Sequence, residues 1–189
     1  MTLTYAALTA ERLDDYLRFF ESRAFVDNPR WAGCFCYFPL HDPNRTKWAS
    51  RSAGENRAAV SACINAGTAR GVLAYLDDEV VGWCNAGPWS QFPMLQDSRE
   101  PGTDRLGVVF CFVVAPELRG NGVATGLLAA ACDSLQAQGL RAVRAKPKKV
   151  ASGPAANHLG PLALYLKAGF RVVREDGENV FVEKLLAQD

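Results

Sequence analysis

Apolar and polar positions along the chain alternate between a period of two, unbroken apolar runs and helical spacing. Residues 2–8 alternate enough for a first strand. Thr9 stands where it can cap a helix over residues 10–25, with Leu13, Tyr16, Leu17 and Phe20 on one face and Glu11, Asp15, Arg18 and Arg23 on the solvated side. Residues 27–51 carry prolines at 29, 39 and 43 and show no period. Ser52-x-x-Glu55 then reads as a capping box opening a helix that runs on Val60, Cys63 and Ile64 to Gly67. Residues 71–77 and 79–85 read as two strands of an antiparallel hairpin turned at Asp77-Asp78.

An unbroken apolar run over 108–114 predicts a strand buried on both faces, ended by Pro116. After a glycine turn, Val123, Leu127, Ala131 and Leu135 fall on one face of a helix, with Ala124, Leu128 and Cys132 beside them and Gly139 as its C′ residue. Residues 141–146 read as a short strand and 147–157 as a loop. Pro161 opens a helix through Leu162, Tyr165 and Leu166 to Gly169, and 170–174 with 180–186 form a closing hairpin. The predicted order is β-α-α-β-β-β-α-β-α-β-β, a mixed sheet with helices packed on it.

Composition narrows the function classes. At 189 residues and 49% hydrophobic content the chain reads as one domain over 1–189, without repeat or linker. A net charge of +1 gives no global field to draw in nucleic acid or an anionic membrane, so neither is expected as a partner. The first residues show no basic region followed by an apolar run, and nowhere do 18 apolar residues follow one another, so a cytoplasmic protein is expected. Six cysteines in such a chain read as reduced. Cys34-x-Cys36 lacks the spacing of a zinc site, and no metal is expected.

The stretch with the clearest chemistry is Arg119-Gly120-Asn121-Gly122-Val123-Ala124. Two glycines and an alanine leave the backbone approachable just where a helix begins, and helix starts attract anions through unpaired N–H groups and the helix dipole. The glycines could equally serve the turn itself. A P-loop fails because Val123-Ala124 stands where Lys-Ser/Thr is needed. A dinucleotide motif fits poorly because Gly126 comes one place late and Arg141, Arg144 and Lys146 occupy the region of the ribose acid.

R-x-x-G-x-A from Arg119 to Ala124, behind a strand and a V-x-P step, resembles the pyrophosphate motif of the GNAT superfamily, the acetyl-CoA-dependent N-acetyltransferases. Leu164-Tyr165-Leu166-Lys167-Ala168-Gly169-Phe170 is similar to that family's Y-x-K-x-G-F segment. The resemblance covers about 71–186 and implies a mostly antiparallel, splayed central sheet with helices on both faces, an α/β (α+β) fold. It assigns acetyl-CoA as cofactor, with main-chain groups of Phe112, Val113 and Val114 on the pantetheine arm. The pyrophosphate would rest on Arg119, Gly120, Asn121, Gly122, Val123, Ala124 and Thr125. Val113 or Val114 would supply the oxyanion donor and Tyr165 the acid for the leaving thiolate. Asn157 stands one place off the family's cofactor asparagine, and Lys148 and Lys149 are further candidates for a phosphate or an acidic acceptor.

The sequence assigns no base with equal force; Glu55, His41, Asp42, His158 or a water can take the amine proton. Trp31, Phe35, Tyr37, Phe38 and Trp48, with Trp89 from the 87–104 loop, either wall an acceptor pocket in the 9–67 half or staple loops to the core. The leading expectation is direct acetyl transfer to a primary amine of a small, aromatic or apolar molecule. The alternatives are a protein or peptide acceptor, or a non-catalytic acyl-CoA sensor. Edge strands of such a sheet can pair between subunits, so a homodimer is compatible with it.

Overall fold

The computed structural model describes residues 2–98, 102–150 and 157–187. Along the chain run β1 (Leu3–Ala7), α1 (Leu13–Ser22), α2 (Ala53–Asn65), β2 (Gly71–Leu76), β3 (Glu79–Pro88) and β4 (Leu106–Val114). Then follow α3 (Val123–Ala137), β5 (Ala142–Ala145), α4 (Leu162–Lys167), β6 (Arg171–Asp176) and β7 (Asn179–Leu185). The strands form one sheet in the order β1-β2-β3-β4-β5-β7-β6, antiparallel at every junction except β4 with β5. The predicted element order and the mixed, mostly antiparallel sheet are both present.

The period of two sorts side chains into two layers. Val72 and Ala74 face α3 and α4 and pack with Leu127, Leu128 and Ala131. Leu73 points the other way, into a layer of Trp83, Tyr16, Phe20, Val60 and Ile64 under α1 and α2. There the Tyr16 ring stands edge-on to Trp83, centroids 5.1 Å apart. Phe19 and Phe20 are each 2% exposed, and burying such a ring contributes on the order of 1.5–3 kcal/mol. The helices therefore flank the sheet on both faces.

Two local expectations change. Thr9 makes no side-chain cap to the backbone; its hydroxyl accepts from Arg12 Nη1 instead, and residues 10–12 form a 3₁₀ turn before α1 begins. Lys148 and Lys149 do not reach the glycine turn, because they pair with Glu178 and Glu175 beside the closing hairpin. The Ser52 capping box forms as expected: Ser52 Oγ accepts from the Glu55 N–H, and the Glu55 carboxylate accepts from the Ser52 N–H.

The feature that positions the site is a short seam. Parallel pairing of β4 with β5 covers Leu106 to Val109 against Ala142 to Ala145. β4 then continues to Val114 with β3 alone beside it as a ladder partner. The Ala115 N–H bonds the Val81 carbonyl, so by alternation Val113 is also turned towards β3, opposite Trp83. The main-chain groups of Phe112 and Val114 consequently face into the gap.

Candidate active site

A cleft of about 1110 Å³ runs from the turn before α3, along the open side of β4, to the loop between α1 and α2. At its first end Gly120 (φ 81°) and Gly122 (φ 82°) hold the left-handed backbone that brings the chain into α3. A side chain at either would be strained in that conformation. Gly122 is the N-cap and supplies no side-chain cap, and the first intrahelical bond is Gly126 N–H to the Gly122 carbonyl. The amides of Val123, Ala124 and Thr125 therefore meet no acceptor within the helix, and all three residues line the cleft. This is a built anion cradle and suits a pyrophosphate.

Arg119 also lines the cleft, but its guanidinium is held. Nη1 and Nη2 donate to the two Asp27 carboxylate oxygens, and Nε donates to the Val114 carbonyl at 3.1 Å. The Arg119 hydrogen bonds hold the Asp27 carboxyl below its usual range. Residues 27 and 119 thus tie the α1–α2 loop to the start of the anion cradle. Asn121 does not line the cleft; its side-chain amide donates back to the Arg119 carbonyl.

Midway along the cleft, the segment 157–160 leans on β4. The Phe112 N–H donates to the His158 carbonyl at 2.6 Å, and the Gly160 N–H to the Asn157 carbonyl at 2.8 Å. Tyr165 lies behind this wall rather than on it. Its ring is fully buried between Phe112 and Phe170, and its hydroxyl donates to the Leu159 carbonyl at 2.7 Å. Burial raises its phenol well above the ordinary value, so it keeps its proton.

Of the six aromatic residues expected around an acceptor, Trp31, Phe38 and Trp48 line the cleft. Phe35, Tyr37 and Trp89 do not. The Phe35 ring is core, packed near Phe20, and its carbonyl accepts from the Tyr16 hydroxyl. Tyr37 carries the Arg51 guanidinium over its ring at 4.9 Å, and Trp89 packs into the core layer under the 88–98 loop. The six rings therefore divide, three lining the cleft and three packing on the core. Cys34, Cys36, Asn56, Phe110 and Cys111 also line the cleft, as do Arg30 and Arg51, and nothing in their sequence spacing pointed to it.

Among the four residues considered as bases, His158 lines the cleft, its ring against Trp31 at 5.1 Å. His41 is buried with Nε2 on the Thr46 hydroxyl, Asp42 accepts from the Asn44 N–H, and Glu55 is spent in the capping box. Hydrogen bonds from Ser52 keep the Glu55 carboxyl below its usual range.

Comparison with known proteins bears on the fold and the family. The chain matches the family model "Acetyltransferase (GNAT) family" over residues 45–170. No curated protein sequence matches it significantly. Among solved structures, an N-acetyltransferase from Staphylococcus aureus Mu50 superposes with a TM-score of 0.57 at 16% identity, covering 98% of this chain and 99% of that one. The PaiA N-acetyltransferase from Thermoplasma acidophilum, in complex with coenzyme A, gives 0.56 at 15% identity over 98% and 100%. A ribosomal-protein-alanine N-acetyltransferase from Brucella melitensis gives 0.54 at 19% identity over 98% and 100%. With the family match spanning most of the chain and the sheet opening beside an uncapped helix start, the protein belongs to the GNAT acetyltransferase family and is an acetyltransferase using acetyl-CoA.

Proposed function

We propose that this chain moves the acetyl group of acetyl-CoA directly to a primary amine of a small, apolar or aromatic molecule. The observation that carries this reading is the continuity of one cleft from the Gly122 cradle to the Trp31, Phe38 and Trp48 chamber. Asp27, the one carboxylate among the described residues lining it, is bound to Arg119, which argues against a polycationic acceptor. We infer the cytoplasm as its setting, because six free thiols suit a reducing compartment.

In this reading the Val123, Ala124 and Thr125 amides hold the pyrophosphate, with Gly120 and Gly122 leaving room for it. Phe112 and Val114 offer gap-facing main-chain groups to the pantetheine arm. Acetyl-CoA supplies the activated thioester. The Val114 N–H is the donor for its carbonyl oxygen, since the Val113 N–H is turned to β3. His158 takes the amine proton from within the chamber, directly or through a water. Tyr165 returns a proton to the departing sulfur once residues 158–160 move off its hydroxyl.

Trp31 and Phe38 are 37% and 38% exposed at the rim, which favours a second reading with an extended peptide acceptor. A panel of aromatic monoamines, polyamines and short peptides, scored by acetyl-CoA-dependent thiol release, tests both. We expect turnover with aromatic monoamines and none with polyamines. Release with peptides alone would select the second reading. Tight acetyl-CoA binding with no release for any amine would replace both by an acyl-CoA sensor.

A further inference from the structure

One cluster in the cleft wall has no part in acetyl transfer. Phe35 and Cys36 both sit in the left-handed region (φ 46° and 47°), a conformation costly for side-chain-bearing residues, so this turn is held in place by its surroundings. The Tyr16 hydroxyl holds the Phe35 carbonyl, and Asn85 Nδ2 donates to the Cys36 carbonyl at 3.2 Å and reaches Cys36 Sγ at 3.5 Å. Asn85 is oriented in turn by Gln91, whose Nε2 donates to Asn85 Oδ1.

The turn delivers Cys36 Sγ to the Asn85 side chain, and Asn85 stands directly opposite Cys111 in the β3–β4 register, so the two cysteines flank one side chain on the same face of the sheet, the Cys111 thiol reaching the Phe112 carbonyl at 3.8 Å. Trp83, in the same core layer, is 2% exposed and its indole N–H has no hydrogen-bond partner. Asn85 is thus a donor held on the Cys36 sulfur. Burial opposes ionisation of Cys36, but Cys111, Asn85 and Trp83 outweigh it and hold the thiol below its usual range. Cys111 is pushed the other way by the neighbouring Cys36 and by burial, and burial with the nearby Cys36 pushes Cys34 up to about 12. The Asn85 N–H on its sulfur favours the Cys36 thiolate, and Cys111, opposite Asn85, stands as the second thiol beside it. Cys36 and Cys111 both line the cleft, through which a small oxidant can enter. Among the described residues, no group of three His, Cys, Asp or Glu is placed to hold a metal ion.

We propose that Cys36 and Cys111 are a modification site: a thiol pair in the cleft wall that hydrogen peroxide converts to a disulfide. Cys36 Sγ attacks one peroxide oxygen and the O–O bond breaks. The departing hydroxide leaves as water with one proton, and Cys36 becomes a sulfenic acid, oxidised by two electrons. Cys111 Sγ then attacks that sulfur, the S–O bond breaks, the S–S bond forms, and the hydroxyl departs with the Cys111 proton as a second water. The net change is two thiols and one peroxide to one disulfide and two waters. The bond would join the 35–36 turn to the strand residue next to Phe112.

The test uses the full reduced chain and does not depend on any acceptor. Dilute hydrogen peroxide is quenched with catalase, remaining thiols are alkylated under denaturing conditions, and the digest is mapped by mass spectrometry. We expect a Cys36–Cys111 linked peptide that dithiothreitol removes, an intact mass lower by two hydrogens, and Cys36 consumed at least about tenfold faster than the partly exposed Cys63 outside the cleft. In Cys36→Ser, Cys111 should stay reduced. In Cys111→Ser, Cys36 should stop as a sulfenic acid that dimedone traps, which keeps the test informative if one variant folds poorly. Recovery of Cys36 and Cys111 as alkylated thiols, or a linked peptide containing Cys34, overturns the proposal.

Discussion

The His158 carbonyl accepts the Phe112 amide proton at 2.6 Å, and the Leu159 carbonyl next to it accepts the Tyr165 hydroxyl proton at 2.7 Å. Two consecutive carbonyls therefore hold a gap-facing amide of β4 and the phenol behind it. Occupancy of the gap by a pantetheine arm competes with the first bond, and any proton donation by Tyr165 requires release of the second.

Replacing Tyr165 by Phe removes the second bond and leaves the ring. Stability should fall by about 1 kcal/mol, the usual worth of one buried hydrogen bond. If Tyr165 is the acid, turnover falls at least about tenfold while acetyl-CoA affinity barely changes. Steady-state kinetics with calorimetric cofactor titration separate the two, and unchanged turnover removes the phenol from the chemistry.

Gly160 has φ 80°, and a methyl there would lie 3.0 Å from the Tyr165 ring and 3.1 Å from that of Phe112. Gly160→Ala should cost about 1–2 kcal/mol for the backbone conformation alone. Thermal unfolding should show a lower Tm without ligand and a larger upward shift on adding acetyl-CoA, if the cofactor displaces this segment. An unchanged Tm would mean that the segment packs elsewhere.

Asp27→Asn breaks the bidentate pair with Arg119 and leaves the guanidinium for the cofactor phosphates. Acetyl-CoA should bind about two- to fivefold more tightly at low salt, the range of an exposed ion pair. The Asp27 pKa is depressed from 3.8 in the fold, chiefly by its hydrogen bond to Arg119. Its contribution to stability is therefore present above pH 3.8 and is lost as pH falls through the folded value. The variant should lack that part of the acid dependence in an unfolding series, and weaker cofactor binding would contradict the competition.

Gly122→Asp puts a carboxylate where the pyrophosphate is proposed to sit. Helicity by circular dichroism should hold, since Asp is a good N-cap and tolerates the left-handed region at a modest cost. Acetyl-CoA affinity should fall at least about tenfold, or 1.4 kcal/mol. Retained affinity would place the phosphates away from this turn.

His158→Gln keeps the Phe112 bond, which uses the main chain, and removes the imidazole. Turnover should fall about a hundredfold or more, the usual range for a general base, and the rise of kcat with pH should disappear. A wild-type pH profile would assign the proton to water.

Local patterns were legible in the sequence and long-range ones were not. The Gly120 and Gly122 turn, the Ser52 capping box and the 3.6 and 2.0 periods depend on neighbours a few residues apart, so the element order and the glycine turn that opens α3 without a side-chain cap could be read directly. Tyr165 was found by motif, but its retreat behind Leu159 depends on the path of the 157–160 segment. Trp31 reaches the cleft and Tyr37 does not because two left-handed residues between them, Phe35 and Cys36, reverse the loop, and neither is the glycine that would announce such a turn. Asp27 with Arg119 and Cys36 with Asn85 each join distant segments through side chains common at any surface or in any core.

The four-residue register between β4 and β5 has a mechanical consequence. β5 pairs with β7 and β7 with β6, so three of the seven strands hang from the rest by that seam and by packing on α3. A ligand laid along the open side of β4 would extend the seam and resist its parting. Amide hydrogens of β5 and β7 should then exchange more slowly when acetyl-CoA is bound, although β6 and β7 touch none of the cleft. The cofactor would act there as a tie between two rafts of strands.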